Sequence, residues 1–157
     1  MAWTNSKIFQ QTLLDALGNT MAMDLDTSAD IPKVALFDNT ITPSQTVSAA
    51  NSAYAAGVWA SGGVSDASGW PAAGRVLASI TWAASAGVLT YDAADTVSAN
   101  STTTLTNAYG CLVYDDTLTT PVADQGICYN YFGGANSVVS GTFTVVWNTA
   151  GIFALTL

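Results

Sequence analysis

Apolar side chains at Phe9, Leu13, Leu14 and Leu17 fall at helical spacing. Asn5 or Ser6 offers an N-cap and Gly18-Asn19 a stop, so the pattern predicts a helix over 7–17. Residues 1–6 precede it as an arm, in which Trp3 is either a packed anchor or a contact to a partner. The run Ile31-Pro32-Lys33-Val34-Ala35-Leu36-Phe37 predicts a strand, with Pro32 placing it at an edge or at its first position. Thr42-Pro43 then opens a small-residue helix over 44–56, ending at Gly57.

From Val58 onward the period shortens to two. Trp59–Val64 reads as a strand broken by Gly62-Gly63, and 65–74 as a loop that carries Trp70-Pro71. Val76, Ala78, Ile80 and Trp82 alternate with Leu77, Ser79 and Thr81, and Val88–Tyr91 returns across Ser85-Ala86-Gly87 as a hairpin. Thr96–Ala99 is a weak strand, and Ser101–Thr106 is strand or loop. Ala108–Tyr114, Gly126–Phe132, Val138–Trp147 and Ile152–Leu157 complete the set, with Gly133-Gly134 expected to end the third-last of these. Strands at roughly 8–12-residue spacing predict a β-sandwich or barrel-like domain with one or two short N-terminal helices. The 157 residues fit one domain, 1–157, with 31–157 mostly β.

Charge changes the picture most. Only 9% of residues are charged, with three cations (Lys7, Lys33, Arg75) against eleven carboxylates, all Asp, for a net charge of -8. There is no His, which removes Ser-His-Asp and Cys-His catalysis and His-ligated metals. Too few cations are present to neutralise a phosphate backbone or an anionic bilayer, so neither nucleic acid nor membrane is an expected partner. The start, MAWTNSKIFQQ, lacks a basic and apolar leader pattern, so no export signal is expected. Residues 125–157 carry no charged side chain. Such a surface is cheap to desolvate, which points to an assembly protein rather than a solitary enzyme.

Candidate chemistry is sparse. Asp24/Asp26, Asp92/Asp95 and Asp115-Asp116 are the pairs that would hold a cation or act on a glycosidic bond. Asp at a strand-end turn more often bonds nearby backbone N–H groups, so no metal, cofactor or catalytic residue is expected. Cys111 and Cys128 have no zinc spacing and are expected as buried free thiols. Gly62-Gly63 and Gly133-Gly134 lack the Lys and the strand-to-helix setting of a phosphate loop. Among the aromatics, Trp59 and Trp70 beside Gly-rich loops are the candidates for a sugar-binding cleft.

Several segments together carry a resemblance: Ala2-Trp3-Thr4 with KIFQQTLLDAL (7–17), DIPKVALFDNTITP (30–43), SAYAAGVWASGGVS (52–65), GWPAAGRVL (69–77), LVYDDTL (112–118), GICYNYFGG (126–134) and FTVVWNTAGIFALTL (143–157). Their order and composition resemble the capsid decoration proteins of tailed phages that infect actinobacteria. The resemblance implies a non-enzymatic virion protein, made in the bacterial host cytoplasm, that sits on the outer capsid surface. Its implied partners are the major capsid protein and neighbouring copies of itself, with trimers following the local symmetry. Expected contacts are Ala2, Trp3 and Thr4 of the arm and Trp70-Pro71 of the loop. The alternatives are a minor tail structural protein and a carbohydrate-binding module on the virion surface.

Overall fold

A computed structural model describes residues 3–25 and 29–157. The chain is mainly β, with sandwich-like layering and two short helices. Its spine is a six-stranded antiparallel sheet. β1 (Lys7–Ile8) pairs with β9 (Gly126–Gly141), β9 with β8 (Thr103–Asp115), and β8 with β2 (Pro32–Phe37). The far edge of β2 is shared by β3 (Gly63–Val64) and β4 (Arg75–Val76). A three-stranded sheet follows the order β11 (Phe153–Thr156), β6 (Val88–Asp92), β5 (Thr81–Ser85). A two-stranded ribbon joins β10 (Thr144–Val145) to β7 (Thr96–Val97).

The spine is covered on both faces, unlike the many antiparallel sheets that keep one face wet. Val34 and Leu36 of β2, with Cys111, Val113 and Cys128, face a core built from Trp70, Tyr91, Leu105, Phe143, Val145, Trp147 and Ile152. Ala35 and Phe37, with Leu112, Tyr114 and Tyr129, face a second core of Trp3, Phe9, Ile41 and Trp59. This explains why β2 reads PKVALF without alternation: both faces of the strand are buried. Pro32 stands at its first position, as predicted, but β2 lies between β8 and the short β3 and β4.

Within the arm expected at 1–6, Trp3 is an anchor, while Thr4, Asn5 and Ser6 stay exposed. Trp3 is 1% exposed, and its indole N–H donates to the Asp38 carbonyl at 2.7 Å. Its ring meets Trp59 edge-on at 5.9 Å. Room for it comes from Gly110: a Cβ there would lie 2.5 Å from the Trp3 ring. Ser6 caps no helix; its hydroxyl accepts from the Tyr131 N–H at 2.9 Å. Lys7 and Ile8 are therefore strand, and α1 spans Gln10–Leu17.

The face of α1 is also a correction. Thr12 and Asp15 point inward, while Leu14 and Leu17 are 64% and 87% exposed. Polar bonds fix this roll. Thr12 donates to the Gly126 carbonyl at 2.5 Å, and Gln125 donates to Asp15 at 2.9 Å. The helix expected at 44–56 shrinks to α2 (Ala49–Ser52) and a 3₁₀ turn (Gly57–Ala60) that carries Trp59. Tyr54 N–H bonds the Asp124 carbonyl instead of a helical partner, and Ala55 sits at φ 58°.

Three β expectations also shift. The alternation over 75–83 divides into β4 and β5, because Ser79 turns the chain at φ 54°. Thr103–Thr106 belongs to β8. Gly133-Gly134 does not end β9, which continues to Gly141 through register shifts against β8. Cys111 and Cys128 are buried and unbonded, as expected. Burial pushes the Cys111 thiol up to about 12, so it stays protonated at neutral pH.

Trp3→Ala should cost about 3–5 kcal/mol of stability, the range for emptying a buried aromatic site. Urea unfolding reads this directly. An unchanged midpoint would return Trp3 to the role of a surface arm.

Candidate docking surface

The expected contact residues divide between interior and surface. Ala2 lies outside the described residues. Thr4 is exposed and Pro71 half-buried. The two indoles are not available to a partner. Trp3 fills the second core, and Trp70 is fully buried with its N–H donating to the Val34 carbonyl at 3.2 Å. Trp59 is buried too, edge-on to Phe37 at 5.0 Å. Trp59 and Trp70 therefore line no sugar cleft. Gly69 beside Trp70 serves close packing, since a Cβ there would overlap the Thr103 side chain, and Gly62 near Trp59 sits at φ 69°.

Most described carboxylates hold backbone. Asp66 accepts from the N–H groups of Ser68, Gly69 and Thr104 at 2.8–3.0 Å, and these bonds hold its carboxyl at about 2. Asp95 accepts from the Trp147 N–H, Asp38 from Thr40 and Asp92 from Ala93. Asp116 pairs with Lys33 at 2.5 Å. Of the pair Asp24/Asp26, Asp26 lies outside the described residues. No group of three or more potential metal ligands gathers among the described residues.

Asp30 and Asp115 also accept from backbone, from the N–H groups of Asp24 and Thr117, but they differ in facing one another. The Thr117 hydroxyl lies 3.3 Å from one Asp30 oxygen and 2.6 Å from one Asp115 oxygen. One hydroxyl proton cannot serve both. The second oxygen of Asp115 is buried without a hydrogen-bond partner among the described residues. Burial and the facing Asp115 carboxylate push the Asp30 carboxyl up, against the downward pull of the Asp24 N–H.

The surface most suited to a partner lies elsewhere. Every residue of β5 is exposed, and its outer edge pairs with no strand among the described residues. Its sequence, TWAAS, holds none of the charges, prolines or bulges that commonly guard a sheet edge. Trp82 stands in one row with Tyr91 and Phe153, and Ala84 with Leu89 and Leu155. These rows project from the same side, because strand side chains alternate. That side forms one wall of an apolar groove of about 330 Å³. Thr12, Leu13 and Ala16 of α1, with Met23, Asp24 and Leu25, form the other, so one carboxylate stands in an otherwise largely apolar lining. Leu17 stands one turn beyond Leu13 on the same helix. The outward leucines, the groove and the bare strand edge thus belong to neighbouring elements.

Sequence reasoning found the hairpin 81–91 but not its edge. Strand order is a tertiary property, and the only local signal was the absence of charge over 76–91.

The Asp30–Asp115 contact sets a sign for pH dependence. A raised carboxyl means the folded state holds its proton more tightly, so this contribution is present at acid pH and lost as pH rises through the folded value. Asp30→Asn should therefore raise the melting temperature at pH 7, with a smaller gain in acid. Asp66 has the opposite sign. Its stabilisation is present above 3.8 and is lost as pH falls toward about 2. Asp66→Asn should flatten that acid limb in a pH series of thermal melts. A wild-type limb retained in Asp66→Asn would contradict the assignment.

Comparison of the chain with protein-family models, with curated proteins and with solved structures finds no match.

Proposed function

We propose that this chain is a structural virion protein that decorates and stabilises the outside of a tailed-phage capsid. It would bind the major capsid protein and neighbouring copies of itself, without catalysis. One observation carries the reading: an unguarded, uncharged strand edge that carries the exposed Trp82 beside a largely apolar groove, on a protein whose other tryptophans are used in its own core. A strand edge offers backbone donors and acceptors that any extended segment of a partner can match. The groove adds apolar burial, and no ionic desolvation opposes contact along β5.

The family resemblance supplies the identity of the partner, and the surface supplies the means. Docking moves from the Trp3 and Trp70 side chains to β5, Trp82 and the outward face of α1. Repetition of one weak contact over many equivalent capsid sites gives retention that a single contact lacks. The net charge of -8 suits a position outside the shell, away from packaged DNA.

Ala83→Lys places a charge on the exposed edge strand without touching either core. It should lower occupancy of undecorated capsids about tenfold or more in co-sedimentation, the effect of roughly 1.4 kcal/mol or more lost per site. Ala83→Thr, uncharged and suited to a strand, should bind like the wild type. Near-ultraviolet circular dichroism checks that both variants remain folded. Undiminished binding by Ala83→Lys would remove β5 from the mechanism, and no binding by the wild type would remove the capsid.

A further inference from the structure

A second groove lies on a different part of the surface. It occupies about 460 Å³ between 130–136 of β9 and the run 143–152 through β10. That volume falls in the usual range for small-molecule sites. No charged side chain lines it, since its walls come from the charge-free run 125–157 together with Ser6.

Its walls combine aromatic rings with neutral polar groups. Tyr131 and Phe132, both half-buried, supply the accessible aromatic surface, over the buried Trp147 of the first core. Asn130, Asn136, Asn148, Thr144 and Ser6 supply the polar groups. Their own bonds leave capacity unused. Asn136 donates its amide to the Gly134 carbonyl at 3.0 Å, and its side-chain oxygen has no donor among the described residues. Asn148 accepts from the Ala150 N–H at 2.9 Å, and its amide nitrogen has no acceptor among the described residues. Ser6 accepts from Tyr131, so its own proton remains to be given. Asn130 reaches only the Cys128 sulfur, at 3.7 Å.

We infer that this groove binds a neutral saccharide. Sugar rings present C–H faces that pack on aromatics and hydroxyls that donate and accept at once, and the groove offers both kinds of surface. Charged ligands find no counter-charge in it. A purely apolar ligand would bury the asparagine amides unpaired, which is costly. A peptide strand is disfavoured by the backbone. β9 advances from Tyr131 to Asn136 while β8 moves only from Gly110 to Ala108, and Gly133 within that bulge sits at φ 83°. Such a break in register does not template a regular added strand. The inference is independent of the capsid reading, because β5 and the apolar groove beside α1 take no part in it.

The test is isothermal titration of the whole chain with neutral oligosaccharides of glucose, mannose, galactose and N-acetylglucosamine, alongside sulfated and uronic-acid oligosaccharides. At least one neutral sugar should bind and shift the side-chain amide signals of Asn136 and Asn148 in ¹⁵N spectra. Asn136→Ala and Asn148→Ala, both at exposed positions, should each weaken that binding about tenfold, the effect of one lost hydrogen bond of about 1.4 kcal/mol. Ala83→Lys should leave it unchanged. Absence of binding by every neutral sugar, preference for the charged sugars, or full affinity in both asparagine variants would each overturn the inference.

Discussion

The structure depends on burying one sheet from both sides. β2 and the 110–115 half of β8 place buried residues on each face in succession, so neither stretch has a side that tolerates water. One face is closed by the smaller sheets of the C-terminal half. The other is closed by a patchwork of the N-terminal segment, α2 and the 3₁₀ turn, in which Trp3, Phe9 and Trp59 supply most of the bulk. Each of these rings sits edge-on or tilted to a neighbour, at centroid distances of 5.0–6.2 Å, the arrangement in which aromatic pairs attract. A protein with few charges has little else with which to fix its layers. Lys33–Asp116 is the sole ion pair among the described residues.

That use of aromatics determines what remains outside. With most of the large rings spent on the two cores, the surface is left with threonine, serine, alanine and asparagine, a few leucines and valines, and the half-exposed ring of Trp82. α1 shows how far this goes. Its inward face is fixed by Thr12 and Asp15 through bonds to Gly126 and Gln125, so its leucines turn outward. Burying polar groups with matched partners while leaving apolar ones exposed reverses the usual economy of a surface helix. A partner covering Leu14 and Leu17 would restore it.

Much of the β character was legible in the sequence, because period-two alternation and charge-poor turns are local signals. The strands at 32–37, 88–91, 108–114, 126–132 and 153–156 fall where the pattern put them. Failures arose wherever a distant residue decides. Trp3 could be placed only by knowing that Gly110 opens a slot across from it. A glycine inside the strong strand 108–114 was the available hint, since such glycines mark close approach. The roll of α1 was hidden because Gln125 lies 110 residues away from the Asp15 it binds. The open edge of β5 was hidden because strand order cannot be read from spacing. Of the candidate contacts, Thr4 and Pro71 stay at or near the surface, whereas Trp3 and Trp70 belong to the core.

The central claim is that β5 and the face of α1 beside it meet the partner. Amide hydrogen exchange of the free protein against the capsid-bound protein tests this most directly. In the free protein the amides of 81–85 should exchange far faster than those of β8, because an exposed edge opens without unfolding the spine. On capsids, exchange at 81–85 and 13–17 should slow markedly, with little change in β8. Protection confined to other segments, with 81–85 exchanging as fast on the capsid as in solution, would contradict the account.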